Sequence, residues 1–239
     1  MITGERLTAY INSLYQGNTE LLDQIEAEAL SLRVPIIRKE MQGFLRFLLA
    51  FARPRKILEV GTAVGFSALL MSEYAPEDCR ITTIENYEKR IPLARKNFAL
   101  AEKEDRIKLL EGDAMEVLKG LADSYDLIFL DAAKGQYIYY LPELLRLLRP
   151  GGLLVSDNVL QDGDVIESRF AVERRQRTIH ARMREYLYTL THCGELTTSI
   201  LPLGDGVTVS VRNQDGCGTS KHHLSGRILR NEVRERCGT

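Results

Sequence analysis

The sequence predicts an α/β fold, a largely parallel sheet with helices on both faces, closed at one edge by an antiparallel hairpin and preceded by a helical cap. Three observations carry this. Short β-rich apolar runs (KILEVG, RITTIE, IKLLEG, DLIFLD and GGLLVSD) alternate with amphipathic stretches long enough for helices, as strand-helix crossovers require. Residues 5 to 52, ahead of the first run, carry helical periodicity. Near the end, TTSILPLG and GVTVSVRN flank Gly204-Asp205-Gly206, a glycine-rich turn between two extended runs.

Taken in order, Leu21, Ile25, Ala29 and Leu32 recur at helical spacing, as do Phe44, Leu45, Leu48 and Leu49, with Pro35 interrupting between them. From Lys56 the five apolar runs supply the parallel strands. After Val211 the chain turns polar and glycine-rich, with only Ile228, Leu229 and Val233 to bury. The expected organisation is a single domain over 1–213, made of a helical cap (1–52) and a core (53–213), with a poorly packed tail over 214–239.

The length of 239 residues suits one large α/β domain. A net charge of −1 neither advertises nor excludes nucleic acid, because a local basic face fits within a balanced total. Cys79, Cys193, Cys217 and Cys237 lack any C-x-x-C or metal-type spacing and read as reduced thiols. No apolar run is long enough to span a membrane, and the start lacks the apolar stretch of a secretory signal. A cytoplasmic protein with no membrane partner is expected.

Two clusters carry chemistry. Glu59-Val60-Gly61-Thr62-Ala63-Val64-Gly65-Phe66-Ser67 follows a strand and opens a helix, where a chain must turn sharply and let a ligand approach. It departs from the dinucleotide G-x-G-x-x-G pattern, since Ala63 and Val64 precede the next glycine, so a pyrophosphate cradle is disfavoured. Glu85 ends the second strand, where a carboxylate accepts hydrogen bonds from ribose hydroxyls. Gly112-Asp113-Ala114 ends the third, where small residues leave room for an adenine edge. These three strand ends together predict an adenosine-bearing ligand.

In the second cluster Asp131 ends the fourth strand and Asp157-Asn158 the fifth, so their side chains converge at the carboxyl edge of a doubly wound sheet. Two carboxylates and an amide oxygen are hard ligands for Mg²⁺, Mn²⁺ or Ca²⁺, and no nearby His or Cys favours zinc. Taken singly, each is as readily a helix cap or an Asx turn. Lys134, three residues past Asp131, can reach an oxygen at such an ion, where neighbouring positive charge would help it shed a proton and serve as base.

The set ILEVGTAVGFSA, TTIE, EGDA, FLDAAKGQY and SDNVL resembles the cation-dependent O-methyltransferases related to catechol O-methyltransferase, over roughly residues 34 to 211. Within that family it is most similar to bacterial tRNA 5-hydroxyuridine methyltransferases, through VPI, DAAKGQY, the SDNVL segment and the PLGDG hairpin. The resemblance implies a Rossmann-like class I methyltransferase fold with a seven-stranded mixed sheet, S-adenosyl-L-methionine as cofactor, a divalent ion with Mg²⁺ foremost, and a homodimer. It carries cofactor contacts to Glu59, Gly61, Ser67, Glu85, Gly112, Asp113, Ala114 and Asp131. Metal contacts go to Asp131, Asp157 and Asn158, with Lys134 as base. The chain departs from its relatives where they carry a cofactor-touching methionine after the VPI segment: Gln42 stands there, with Met41 beside it.

The activity so implied is methylation of the 5-hydroxyl of 5-hydroxyuridine at tRNA wobble position 34, giving 5-methoxyuridine; the alternative is a small-molecule catechol-type O-methyltransferase. Both acceptors offer two adjacent oxygens. The choice turns on Arg169, Arg174, Arg175, Arg177, Arg182 and Arg184, with Glu173 among them. Ile179, Met183, Leu187 and Leu190 fall on one helical face and leave most of these arginines outside. There they could meet phosphates and stack on unpaired bases of an anticodon loop, and Arg169, Arg174, Arg175 and Arg177 are the RNA-binding candidates. Without the resemblance, a solvated basic face is the simpler account.

Overall fold

A computed structural model of the chain describes residues 4–214. The expected tail lies, from residue 215 onward, outside the described residues. The chain divides between Gly120 and Leu121 into two compact units.

The first unit opens with the helical cap, α1 (Glu5–Leu14), α2 (Glu20–Ser31) and α3 (Lys39–Ala52). Thr19 caps α2 by accepting a hydrogen bond from the Leu22 amide. Helix α2 buries Ile25 and Ala29 as expected, with Leu22 buried and the expected Leu21 half-buried beside it. Leu32 lies beyond the last turn as the C-cap and is 54% exposed; the helix stops before it can join the buried face. Helix α3 buries Met41, Leu45, Leu48 and Leu49, and Pro35 falls in the link between α2 and α3 as its missing N–H requires.

There follow β1 (Lys56–Val60), α4 (Phe66–Tyr74), β2 (Arg80–Glu85), α5 (Ile91–Leu100), β3 (Ile107–Glu111) and α6 (Ala114–Gly120). Strand β1 pairs with β2 in parallel, Ile57 opposite Ile81, and β2 with β3, Ile84 opposite Leu110. Ile57, Leu58 and Val60 are all buried, so the continuous apolar run reflects a strand covered on both faces.

The second unit holds β4 (Tyr125–Leu130), a 3-10 turn at Lys134–Gln136, α7 (Tyr137–Leu147) and β5 (Leu148–Asp157). Two more 3-10 segments, Gln161–Ile166 and Arg174–Gln176, lead to α8 (Arg177–His192) and the hairpin β6 (Leu196–Leu201) and β7 (Val207–Arg212). Strands β4 and β5 run parallel up to Leu130 opposite Ser156. Strand β7 runs antiparallel to both β5 and β6, closing the edge as the glycine turn predicts. The strand order is β3-β2-β1-β4-β5-β7-β6, a seven-stranded mixed sheet. Among the described residues, no helix is long and apolar enough to cross a membrane.

Candidate active site

In the first unit the predicted cofactor residues gather at the carboxyl ends of β1, β2 and β3. Glu59 is fully buried and accepts from the Ser67 hydroxyl (2.5 Å) and the Thr83 hydroxyl (2.5 Å). These bonds tie the end of β1 to the start of α4 and to β2, satisfying a carboxylate that would otherwise be costly to bury. The amides of Gly61 and Thr62 both donate to the Ile84 carbonyl. Gly65 then enters α4 at φ +85, and a Cβ there would lie 2.5 Å from the Phe98 ring. Only glycine fits both conditions.

Glu85, assigned to ribose by its place at the end of β2, spends much of its carboxylate on the protein itself. One oxygen accepts from the Asn86 and Tyr87 amides (3.0 and 2.9 Å), the other from the Ala63 amide (2.8 Å). A carboxylate has about four acceptor positions, so room for a ligand hydroxyl remains while the loop is held in place. The Gly112 amide donates to the Glu85 carbonyl (2.9 Å), joining the third strand end to the second. The Asp113 carboxylate caps α6, accepting from the Met115 and Glu116 amides (2.9 and 3.3 Å), while its carbonyl accepts from the Val117 amide (3.0 Å). Gln42 is buried and bonded to Glu26, the Ile37 carbonyl and Asn18, so its amide serves the packing of the cap.

In the second unit Asp131 follows β4 directly and Asp157 is the last residue of β5, with Asn158 next in left-handed backbone at φ +56. The Asn158 amide donates to its neighbour's carboxylate (2.7 Å). Burial raises the Asp131 carboxyl above its usual range, and Lys134 partly offsets this. Asp157 is pushed up to about 7, first by burial and then by the Asp131 charge, with Asp205 adding to the effect and the Asn158 amide and Lys134 opposing it. Carboxyls raised by burial, with the Asp131 charge opposing ionisation of Asp157, make this place a candidate functional site. Among the described residues no three His, Cys, Asp or Glu gather around a common point; the set here is two carboxylates with an amide, the oxygen donors that a hard divalent ion takes. The donor chemistry and the charge left to be neutralised both fit such an ion.

Two residues at this place carried no role in the sequence reading. Tyr137, the last residue of the DAAKGQY segment, has its hydroxyl within 3.2 Å of the Ala132 amide and the Asp157 carbonyl, and 3.3 Å from the Leu130 carbonyl. Asp205, legible as the middle of a glycine turn, is a buried carboxylate that accepts from the Asp162 amide, while the Leu160 amide meets the Asp205 carbonyl and the Val159 amide the Gly206 carbonyl. The turn thereby holds the chain as it leaves Asn158.

The arginine segment divides in its behaviour. Arg169, Arg174 and Arg175 are exposed, with Arg175 paired to Glu173 (2.7 Å). Arg177 is half-buried, donates to the Val172 carbonyl (3.3 Å) and lies over the Phe170 ring. Arg182 donates to the Gly135 carbonyl (3.1 Å) and covers Tyr139, and Arg184 donates to the Val165 carbonyl (2.8 Å). Met183, Leu187 and Leu190 form the buried face of α8 as expected, with Ile179 half-buried at its edge.

The sequence pattern of one family, described as O-methyltransferase, matches residues 6–213. The chain belongs to the O-methyltransferase family. Among its relatives in that family, a catechol O-methyltransferase of Niastella koreensis is 36% identical over 128 residues, 52% of this chain and 58% of its own length. Caffeoyl-CoA O-methyltransferase 2 of Populus trichocarpa is 33% identical over 180 residues, 71% of each chain. The solved structure of the SAH-bound methyltransferase PaMTH1 of Podospora anserina matches with a TM-score of 0.80 at 28% identity, over 88% of this O-methyltransferase and 95% of that chain.

Proposed function

We propose that this O-methyltransferase uses S-adenosylmethionine and a divalent cation to methylate an acceptor bearing two adjacent oxygens, the acceptor being 5-hydroxyuridine at wobble position 34 of tRNA. The observation that carries the proposal is the pair of half-buried Asp131 and buried Asp157, with Asn158 beside it, at the ends of neighbouring strands. Cofactor binding is supported by the Glu59, Glu85 and Gly112 strand ends and by the SAH held in the Podospora relative. A cation bound by Asp131, Asp157 and Asn158 would supply Lewis acidity towards both acceptor oxygens.

The remaining work falls to the chain. Lys134, half-buried three residues beyond Asp131, takes the proton of the acceptor hydroxyl. S-adenosylmethionine, when bound, would supply the methyl group to the oxygen so freed, its S–C bond breaking to leave the neutral thioether. The Glu59 and Glu85 hydrogen bonds keep the loop from residue 61 to 67 in one shape, so the cofactor's placement does not depend on a flexible turn.

The tRNA acceptor is favoured by Arg169, Arg174 and Arg175, exposed beside an 84% exposed Phe170 on the segment that leaves Asn158; cations interleaved with an aromatic ring suit phosphates and an unstacked base. A small catechol or catechol-like thioester is the second reading. It is favoured by the names of the relatives, and by Asp162, Asp164, Glu167 and Glu173, which neutralise much of the charge in the same segment. A cytoplasmic homodimer completes the proposal. Methyl transfer to hypomodified tRNA and to catechol, each with Mg²⁺ and with chelator, tests it: Mg²⁺-dependent methylation of tRNA is expected, catechol turnover alone selects the second reading, and chelator-resistant transfer to either refutes the cation.

A further inference from the structure

The ladder between β4 and β5 ends at Leu130 opposite Ser156. The next pair would set Asp131 against Asp157, two carboxylates whose charges repel, at the point where the backbone bonds that could hold them have stopped. The Tyr137 side chain reaches that place. The Tyr137 hydroxyl accepts from the Ala132 amide and lies in donating range of both the Leu130 and Asp157 carbonyls. A phenol has one proton to give, so it shares that proton between the two strand ends while the amide just past Asp131 fixes its oxygen. The ring is fully buried and meets Tyr186 edge-on at 5.5 Å, and Tyr186 is itself bonded to the Ser156 hydroxyl (2.7 Å). The anchor therefore has little room to move.

We infer that Tyr137 is a positioning residue: its hydroxyl replaces the missing rung of the ladder and presets the separation of Asp131 and Asp157 for a divalent cation. This rests on the cation reading proposed above. It acts through the backbone on both sides of Asp131 and at Asp157, touching neither cation nor acceptor. Tyr186 supplies an internal control, because it is an equally buried phenol packed edge-on against Tyr137 whose hydroxyl bonds to a serine side chain and to neither of those strand-end carbonyls.

The test is Mn²⁺ binding to the full chain, followed by electron paramagnetic resonance of the free ion, for the wild type, Tyr137→Phe and Tyr186→Phe, with thermal unfolding measured in chelator. Outer groups that orient metal ligands typically contribute about 10- to 100-fold in affinity. Tyr137→Phe is therefore expected to weaken Mn²⁺ binding by about 10-fold or more and to raise the Mn²⁺ concentration for half-maximal methyl transfer by the same factor. Tyr186→Phe should leave both within about twofold while lowering thermal stability. Incorporating 4-aminophenylalanine at position 137 restores a donor to the two carbonyls and should recover most of the affinity. That variant also stands in should Tyr137→Phe not fold, since it is expected to fold and to bind Mn²⁺ within a few fold of the wild type. Equal Mn²⁺ affinity in wild type and Tyr137→Phe, equal losses in both phenylalanine variants, or no recovery with the amine would each overturn the inference. A wild-type chain that binds no Mn²⁺ would instead overturn the cation reading beneath it.

Discussion

Removing divalent cations should make this protein more stable in mild acid than in mild base, opposite to the usual behaviour of carboxylates. Asp157 is pushed from 3.8 up to about 7 by burial and by the Asp131 charge. In the folded chain the carboxyl then keeps its proton between about pH 4 and 7, whereas in the unfolded chain it has lost it. The folded state binds more protons in that window, so stability falls as pH rises through it and levels off above about 7. A shift of about three units corresponds to about 4 kcal/mol at 1.36 kcal/mol per unit. About two pH units of that window lie above pH 5, which leaves about 2.7 kcal/mol to be lost between pH 5 and 8; for a chain of this size each kcal/mol moves the midpoint by roughly 2–4 °C, so unfolding in chelator should occur about 5–11 °C higher at pH 5 than at pH 8. Differential scanning calorimetry across pH 5 to 8 measures this, with Asp157→Asn as reference. That variant removes both the titrating carboxyl and its repulsion of Asp131, and should flatten the profile. Excess Mg²⁺ at pH 8 should restore most of the lost stability in the wild type and little in the variant. A wild-type profile in chelator that is flat, or that rises with pH, would refute the claim that the two carboxyls share a buried site in which both ionise only against resistance.

Lys134→Met should lower kcat by about 10²- to 10⁴-fold, the usual span for loss of a general base, while Mn²⁺ affinity in the resonance titration stays within a few fold. Replacing Arg169, Arg174 and Arg175 together by alanine should weaken transfer to tRNA and reduce the slope of log affinity against log salt by up to about 2, at roughly 0.7 per phosphate contact on a single strand; catechol turnover should not change, and equal loss on both acceptors would point to a structural effect. Gly65→Ala places a methyl against Phe98 in left-handed backbone. It should cost about 2–4 kcal/mol in urea unfolding and weaken SAH binding in calorimetry, from strain and overpacking combined.

What the sequence made legible, and what it did not, follows from the range of the forces involved. Runs such as DLIFLD and GGLLVSD are read correctly because burial on both faces of a strand is written in consecutive residues, and the turn at Gly204 to Gly206 is written in three. On α2, Ile25 and Ala29 are buried as the spacing predicts and Leu21 lies half-buried beside a buried Leu22, whereas Leu32 is exposed, because periodicity alone does not say where a helix stops and this one stops after Ser31. The convergence of Asp131 and Asp157 was legible from their places at two strand ends, since topology alone brings such ends together. The part of Tyr137 was not legible, although the residue lies inside a quoted motif. Its importance comes from three backbone groups, at residues 130, 132 and 157, whose orientation is set by two strands and a helix packing at once. Asp113 and Glu85 show the same limit from the other side: a carboxylate at a strand end can face a ligand or satisfy local amides, and the composition of the site is identical in both cases. For Asp113 the amides of Met115 and Glu116 take the carboxylate. For Glu85 three amides take most of it and still leave an acceptor position, so one residue both shapes the loop and retains the means to bind a ribose hydroxyl.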